Sequence, residues 1–311
     1  MTGYLIDYRQ SEWELPPLIS WTLCHGMGTP ADSFEICFPW TEEATPMLND
    51  AVRFKAIDSD EVVFSGVVDE YEISITPEGA VVSVSGRGLA ALLLDNESEA
   101  VEYYQCSLET ILARHVRPYG ITKIKKDPLP SALSYKIDSG SSQWTALYNY
   151  THYVGGVTPR FSRDGVLIIS DKPGKRHDIS LKSAPSAVSI RGRRYGRISQ
   201  VKVVRAYDGS YQTVYDSDFM EKGGSCRRVV MVPKTTGYNR MRYTGEFQIK
   251  QSKADYYVVK LVLPQAFAAF PADIVDIDLP EFGLVTEMRV RETISWSDGK
   301  SSGTELSLVR M

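Results

Sequence analysis

Cysteine is scarce in this 311-residue chain: Cys24, Cys37, Cys106 and Cys226 lie far apart, without the short spacings of a zinc site or a disulfide framework. Reduced thiols in a cytosolically made protein are the expectation. Long apolar runs are missing as well. The longest, Leu89 to Leu94, falls far short of the roughly 20 residues that cross a bilayer. The N-terminal MTGYLIDYRQSEWELP has no basic start followed by an apolar stretch. Neither a membrane span nor a secretory signal is expected. Motifs of catalysis are also lacking: there is no G-x-S-x-G elbow, no H-E-x-x-H helix and no G-x-x-x-x-G-K-[ST] loop. Gly26-Met27-Gly28 and Gly86-Arg87-Gly88 lack the third glycine and the strand–helix setting of a dinucleotide fold, and read as turns.

Basic side chains are nearly absent from the first third. Residues 1–110 have only Arg9, Arg53, Lys55 and Arg87 against about 20 carboxylates. Between Lys172 and Arg205 the sign reverses: Lys172, Lys175, Arg176, Lys182, Arg191, Arg193, Arg194, Arg197, Lys202 and Arg205 are opposed only by Asp178. Two solvated faces would account for this, and so would a complementary contact between copies, since opposed patches steer docking and set register. Nucleic-acid binding fits less well, because the basic segment shows no aromatic stacking spacing.

What is present is enough apolar side chain, 43% of residues, to bury a core, and the length suits two domains or three small ones. From Trp21 to Gly86 the pattern is of short strands. Tyr71, Ile73 and Ile75 alternate with polar residues, Val82 and Val84 alternate in turn, and Thr76-Pro77-Glu78-Gly79 predicts the hairpin between them. Val52 and Phe54 start another strand, followed by an Asp58-Ser59-Asp60 turn and Val62 to Phe64. Leu89, Leu92 and Leu93 then take helical spacing. Ser107 caps a second predicted helix carrying Leu108, Ile111, Leu112 and Val116, stopped by Pro118 and Gly120. A third starts at Ser141 or Ser142, carries Trp144, Leu147 and Tyr148, and halts at Gly155-Gly156. Phe161 to Ile169 reads as a hairpin around Asp164-Gly165, and from Ala187 onward strands are expected to dominate.

One pattern recurs. Gly66-Val67-Val68-Asp69-Glu70 leads through an alternating strand and a Pro-Glu-Gly turn to a closing strand. Gly283-Leu284-Val285-Thr286-Glu287 leads through Met288 to Arg291 and a Ser-Asp-Gly turn at 297–299 to Leu306-Ser307-Leu308. Each is preceded by an alternating strand, Val52 and Phe54 in one, Val275, Ile277 and Leu279 in the other. A duplication would give two similar barrels in one chain.

Candidate chemistry is thin. Cys24 and His25 are neighbours on a strand and point to opposite faces, so they do not form a thiol–imidazole pair. His115 is expected near a helix C-terminus, and His152 and His177 on the surface. Asp69 and Glu70 are the acidic neighbours to weigh as a glycosidase-like pair, but alternation on a strand makes a solvated β face the simpler account. No catalytic, cofactor-binding or metal-binding set is expected. Eighteen tyrosines and five tryptophans leave a carbohydrate-active enzyme or carbohydrate-binding β protein as the alternative class.

The segments Ala31-Asp32-Ser33-Phe34-Glu35, Val63-Phe64-Ser65-Gly66-Val67-Val68-Asp69-Glu70, Ser85-Gly86-Arg87-Gly88-Leu89-Ala90, Leu92 to Asp95 and Pro118-Tyr119-Gly120-Ile121 resemble the baseplate hub proteins of contractile-tailed phages, the Mu-type and T-even-type hubs and the late-control protein D group. The resemblance is strongest over residues 18–122 and weaker over 270–311. It implies a mainly β chain with an α+β insertion: a tube-like β-barrel over residues 1–99, a small α+β domain over 100–185 and a second tube-like barrel over 186–311. It further implies a homotrimeric ring of pseudo-sixfold symmetry in the virion baseplate, assembled in the host cytoplasm, or in a phage-derived bacteriocin particle. Implied partners are the tail tube and central spike proteins, with tape measure and baseplate wedge proteins beyond them, and DNA only as cargo. No oligonucleotide-binding barrel, needle or lysozyme-like module follows in this sequence, so the spike is expected as a separate chain. On this reading Asp69, Glu70 and Glu72 are candidate channel-lining residues, repelling phosphates within about 8 Å, and Arg191, Arg193, Arg194 and Arg197 are candidate assembly contacts.

Overall fold

A computed structural model describes residues 1–27, 32–77, 79–180, 185–234, 236–254, 256–280 and 283–310. Gly28, Ala31, Glu78 and Lys182, used in the expectations above, lie outside them. The fold is mainly β and is organised around one large, mostly antiparallel sheet.

Twelve strands of that sheet fall into two sets of six. In the first set β1 is Thr2–Asp7, β2 Ser20–Gly26, β3 Ser33–Pro39, β4 Ala51–Asp58, β5 Glu61–Thr76 and β6 Gly79–Gly88. In the second β7 is Arg176–Ser180, β8 Ala187–Gly192, β9 Tyr257–Leu263, β10 Ile274–Leu279, β11 Gly283–Ser297 and β12 Ser302–Arg310. The first set pairs in the order β1-β4-β5-β6-β3-β2 and the second in the order β7-β10-β11-β12-β9-β8. Adding six to each label converts one into the other. The match includes a bulge at the same place, Asp69 of β5 against β6 and Arg291 of β11 against β12. One pairing differs in sense, β1 being antiparallel to β4 and β7 parallel to β10.

The strand order agrees with the repeat seen in the sequence, but the residue alignment does not. With the bulges superposed, Val68, Asp69 and Glu70 correspond to Val290, Arg291 and Glu292. The likeness of Gly66-Val67-Val68-Asp69-Glu70 to Gly283-Leu284-Val285-Thr286-Glu287 is therefore out of register by five residues. Hairpin length and bulge position set the equivalence, and local composition carries neither.

Each set has its own apolar core. Leu23, Phe34, Ile36, Phe38, Phe54, Phe64, Val82 and Val84 pack in the first, and Val259, Leu261, Ile277, Met288, Val290, Leu306 and Leu308 in the second. Gly66 and Gly86 make room for the aromatic rings of the first. A Cβ on Gly86 would stand 2.0 Å from the Val67 carbonyl oxygen and 2.7 Å from the Phe34 ring. The pairing path runs open from one end to the other, without closure into a barrel among the described residues. The two sets are joined side by side where β2 pairs the C-terminal half of β11, from Glu292 opposite Gly26 to Ser297 opposite Trp21.

Between the sets lies an α+β unit around Ile111, Leu112, Leu147, Tyr150 and Leu167. Its helices follow the sequence signals. Ser107 Oγ accepts from the Thr110 amide and starts Leu108–His115, and Ser142 Oγ accepts from the Thr145 amide and starts Gln143–Gly155, which Gly156 ends in the left-handed conformation. The 161–169 hairpin gains a parallel neighbour, Ile124–Lys126. The expectation of strands from Ala187 onward needs correcting. Between β8 and β9 the chain leaves the large sheet for a three-stranded sheet, Gln200–Arg205, Tyr211–Tyr215 and Arg227–Val232, covered by the helix Tyr238–Ala254. That helix is amphipathic only weakly and has few apolar residues, so periodicity does not reveal it; Met241 and Ile249 anchor it on Val201 and Val203.

Candidate functional site

Geometry at the acidic residues is governed by the β5 bulge. The extra residue resets the alternation, so Asp69 and Glu70 do not face opposite ways: Asp69, Glu70 and Glu72 are all exposed on the side away from the core. Tyr71, Ile73 and Ile75 take the core side, opposite Val84, Val82 and Ala80. Asp69 is neutralised locally. Arg87 donates to it from Nε at 2.7 Å and Nη2 at 2.9 Å, and to Asp95 from Nη1 at 2.9 Å and Nη2 at 2.7 Å. These bonds raise the Arg87 pKa and lower that of Asp95. Glu70 and Glu72 have no cationic partner among the described residues.

The basic candidates separate. Arg191 lies on β8, an edge strand exposed along most of its length, and Arg193 continues it with its guanidinium 5.0 Å from the Tyr195 ring. Arg194 donates to the Lys222 carbonyl at 2.9 Å. Arg197 lies inside the fold, 6% exposed, with Asp216 at 2.9 Å and Asp218 at 3.1 Å. Its guanidinium also lies 4.6 Å from the rings of both Phe219 and Tyr256. It ties the inserted sheet to the short helix Ser217–Glu221, which Asp216 caps, and presents no surface, whereas Arg191 and Arg193 do.

The histidines are less exposed than their sequence positions suggest. His25 is buried between Phe64 and Phe270 and its Nε2 lies 3.0 Å from the Val63 carbonyl oxygen; burial pushes its pKa down to about 4. His152 stacks on Tyr148 beside Phe247, and burial likewise takes it down to about 4. His115 sits in the last helical turn as expected, but buried, with Gln143 at 2.7 Å and Tyr103 at 2.9 Å. His177 meets Asp273 at 2.8 Å, a partner nearly a hundred residues away that no local pattern announces.

A cleft of about 450 Å³ opens where the joined sheets meet the helices Gln143–Gly155 and Tyr238–Ala254, lined by Tyr148, Asp171, Phe247, Lys250, Arg289 and Arg310. Asp171 is held there by Arg289 at 2.8 Å and Lys250 at 3.2 Å. Burial opposes its ionisation, yet these cations keep its pKa below the ordinary value. A carboxylate paired in this way is a poor general acid or base. Among the described residues no group of three His, Cys, Asp or Glu side chains is placed to hold a metal ion.

No family model and no curated protein matches the sequence. Solved structures do match. The tail protein of Neisseria meningitidis MC58 superposes with a TM-score of 0.79 at 15% identity, over 99% of this chain and 96% of that one. The 43 kDa tail protein of prophage MuSo2 from Shewanella oneidensis gives 0.79 at 17% identity, over 99% and 98%. An Escherichia coli component of the type VI secretion system, described as similar to the T4 bacteriophage tail proteins gp27 and gp5, gives 0.59 at 10% identity, over 94% and 73%. With the doubled strand order, these likenesses establish that the chain has the fold of phage tail proteins.

Proposed function

We propose that the chain is a non-enzymatic structural hub of a phage or phage-like contractile tail. Three copies form a ring of pseudo-sixfold symmetry that joins a hexameric tail tube to a trimeric central spike. One observation carries this reading: each chain contains the same six-strand order twice, side by side in one sheet. Three such chains offer six near-equivalent surfaces to a sixfold tube while keeping a true threefold axis for the spike. The division into a first tube-like region, a middle α+β domain and a second tube-like region, each curling into its share of the ring, belongs to this proposal. So does the placement of the side of β5 bearing Glu70 and Glu72 towards the central passage.

Native mass separates the hub from a monomeric protein. A particle of about 105 kDa, three chains of 34.8 kDa, with a six-lobed projection by negative-stain microscopy, is expected, alone or on addition of tube and spike proteins. A chain that stays monomeric with both partners present overturns the proposal.

A further inference from the structure

Inside the chain, the C-terminal half of β11 has two neighbours. On one side it pairs β12, and on the other it pairs β2, which belongs to the first set of strands. Its counterpart in the first set, Glu70 to Ile75 of β5, pairs β6 on one side and has no strand on the other among the described residues. The counterpart of β2 is β8, which pairs β9 and, among the described residues, has no strand on its second edge. The molecule thus contains one finished junction and, at its two ends, the two unpaired halves of a second. Unpaired edges of this kind invite strand addition.

The finished junction also sets the register of the unfinished one. Through the neighbouring strands, Ile294 corresponds to Glu72, Ser295 to Ile73 and Ser297 to Ile75. In the same way Trp21 corresponds to Val188, Leu23 to Ile190 and Cys24 to Arg191. Internally Ile294 lies opposite Cys24, Ser295 opposite Leu23 and Ser297 opposite Trp21. Carried over, Glu72 falls opposite Arg191, Ile73 opposite Ile190, and Ile75 opposite Val188. One step further, Glu70 falls opposite Arg193. The charged pairs share the side away from the core and the apolar pairs share the core side. Ile75 is 74% exposed and Ile190 36% exposed in the single chain, so both have apolar surface left to bury.

We propose that a second copy of this chain docks the β8 edge antiparallel to the Glu70–Ile75 edge of β5, repeating between chains the junction that β2 and β11 make within one. Every chain then gives one edge and receives one, a head-to-tail contact that closes into a ring. The number of copies, three, rests on the hub proposal; the pairing itself rests on the internal junction.

Cysteine pairs test the register, because directly opposed residues on antiparallel strands lie within disulfide reach. In a Cys226→Ser background, Ile73→Cys with Ile190→Cys is expected to form covalent oligomers up to the trimer on mild oxidation. Ile75→Cys with Ile190→Cys, two residues out of register, should cross-link at least tenfold less. In parallel, Glu72→Arg and Arg191→Glu should each weaken self-association about tenfold, and the double variant should recover most of the loss. A trimer that forms normally but shows no preference for the in-register pair and no charge-swap rescue overturns the strand pairing and leaves the hub proposal standing. A chain monomeric under all conditions, with tube and spike proteins added, overturns both.

Discussion

Burial at single positions makes the stability of this protein depend on pH in two opposing ways. His25 and His152 stay neutral in the fold down to about 4, whereas in the unfolded chain they take up protons near 6.5. Between those values the unfolded state holds more protons, so stability rises with pH. Asp32 works against this. Its carboxyl accepts from the Gly26 amide at 2.9 Å and is enclosed enough that burial lifts its pKa from 3.8 to about 7. Between those values the folded state holds the extra proton, so stability falls as pH rises. Asp32→Asn keeps the acceptor and removes the titration. Urea unfolding should therefore show a steeper gain from pH 4.5 to 6.5 in the variant than in the parent, with no further loss from this site up to pH 7. Identical slopes would place Asp32 in a more solvated setting. Gly86→Ala makes a second test at this scale. The added methyl meets a carbonyl oxygen and a phenyl ring inside a strand pair, and such overpacking costs about 1–3 kcal/mol, measurable as a lowered urea midpoint.

Among the elements, the two arginine groups sit in different settings, and variants should tell them apart. Arg197 is enclosed with Asp216 and Asp218 in the insertion between β8 and β9. Arg197→Met leaves the buried Asp216 carboxylate with Lys253, at 3.0 Å, as its remaining cation, and losing the charge-assisted bonds from Arg197 costs about 1.5–3 kcal/mol. The expected result is a destabilised insertion and a lowered thermal midpoint for the isolated chain. Arg191→Glu changes an exposed edge strand and should leave the stability of the isolated chain within about 0.5 kcal/mol of the parent, its effect appearing in self-association. The same logic separates two roles for the acidic stretch. If Glu70 and Glu72 act as free charges in the passage, their reversal alters DNA ejection from assembled particles; as residues of a seam facing Arg193 and Arg191, it alters assembly first.

For the whole molecule, the doubled sheet is the feature on which the hub proposal rests. One chain supplies two copies of a six-strand unit that differ in nearly every side chain yet share strand order and bulge. On the hub proposal, divergence between the copies lets one face be read as sixfold and another as threefold, which a single unit repeated six times would not provide. The same proposal makes the open edges of the sheet the assembly surface, and the native mass is the most direct check on it.

Period-two alternation around Tyr71 and Val82, serine caps at Ser107 and Ser142, and turn residues at 58–60 and 297–299 were sufficient to locate most strands and helices. Each depends on contacts within a few residues, and those the sequence itself determines. Tertiary structure alone decided the rest. The bulge at Asp69, the five-residue offset between the copies, the helix Tyr238–Ala254 and the partners of Arg197 and His177 all come from pairings between residues far apart in the chain. Strand register and buried ion pairs are chosen by which surfaces fit once the chain has closed on itself, and no local pattern of side chains encodes that choice.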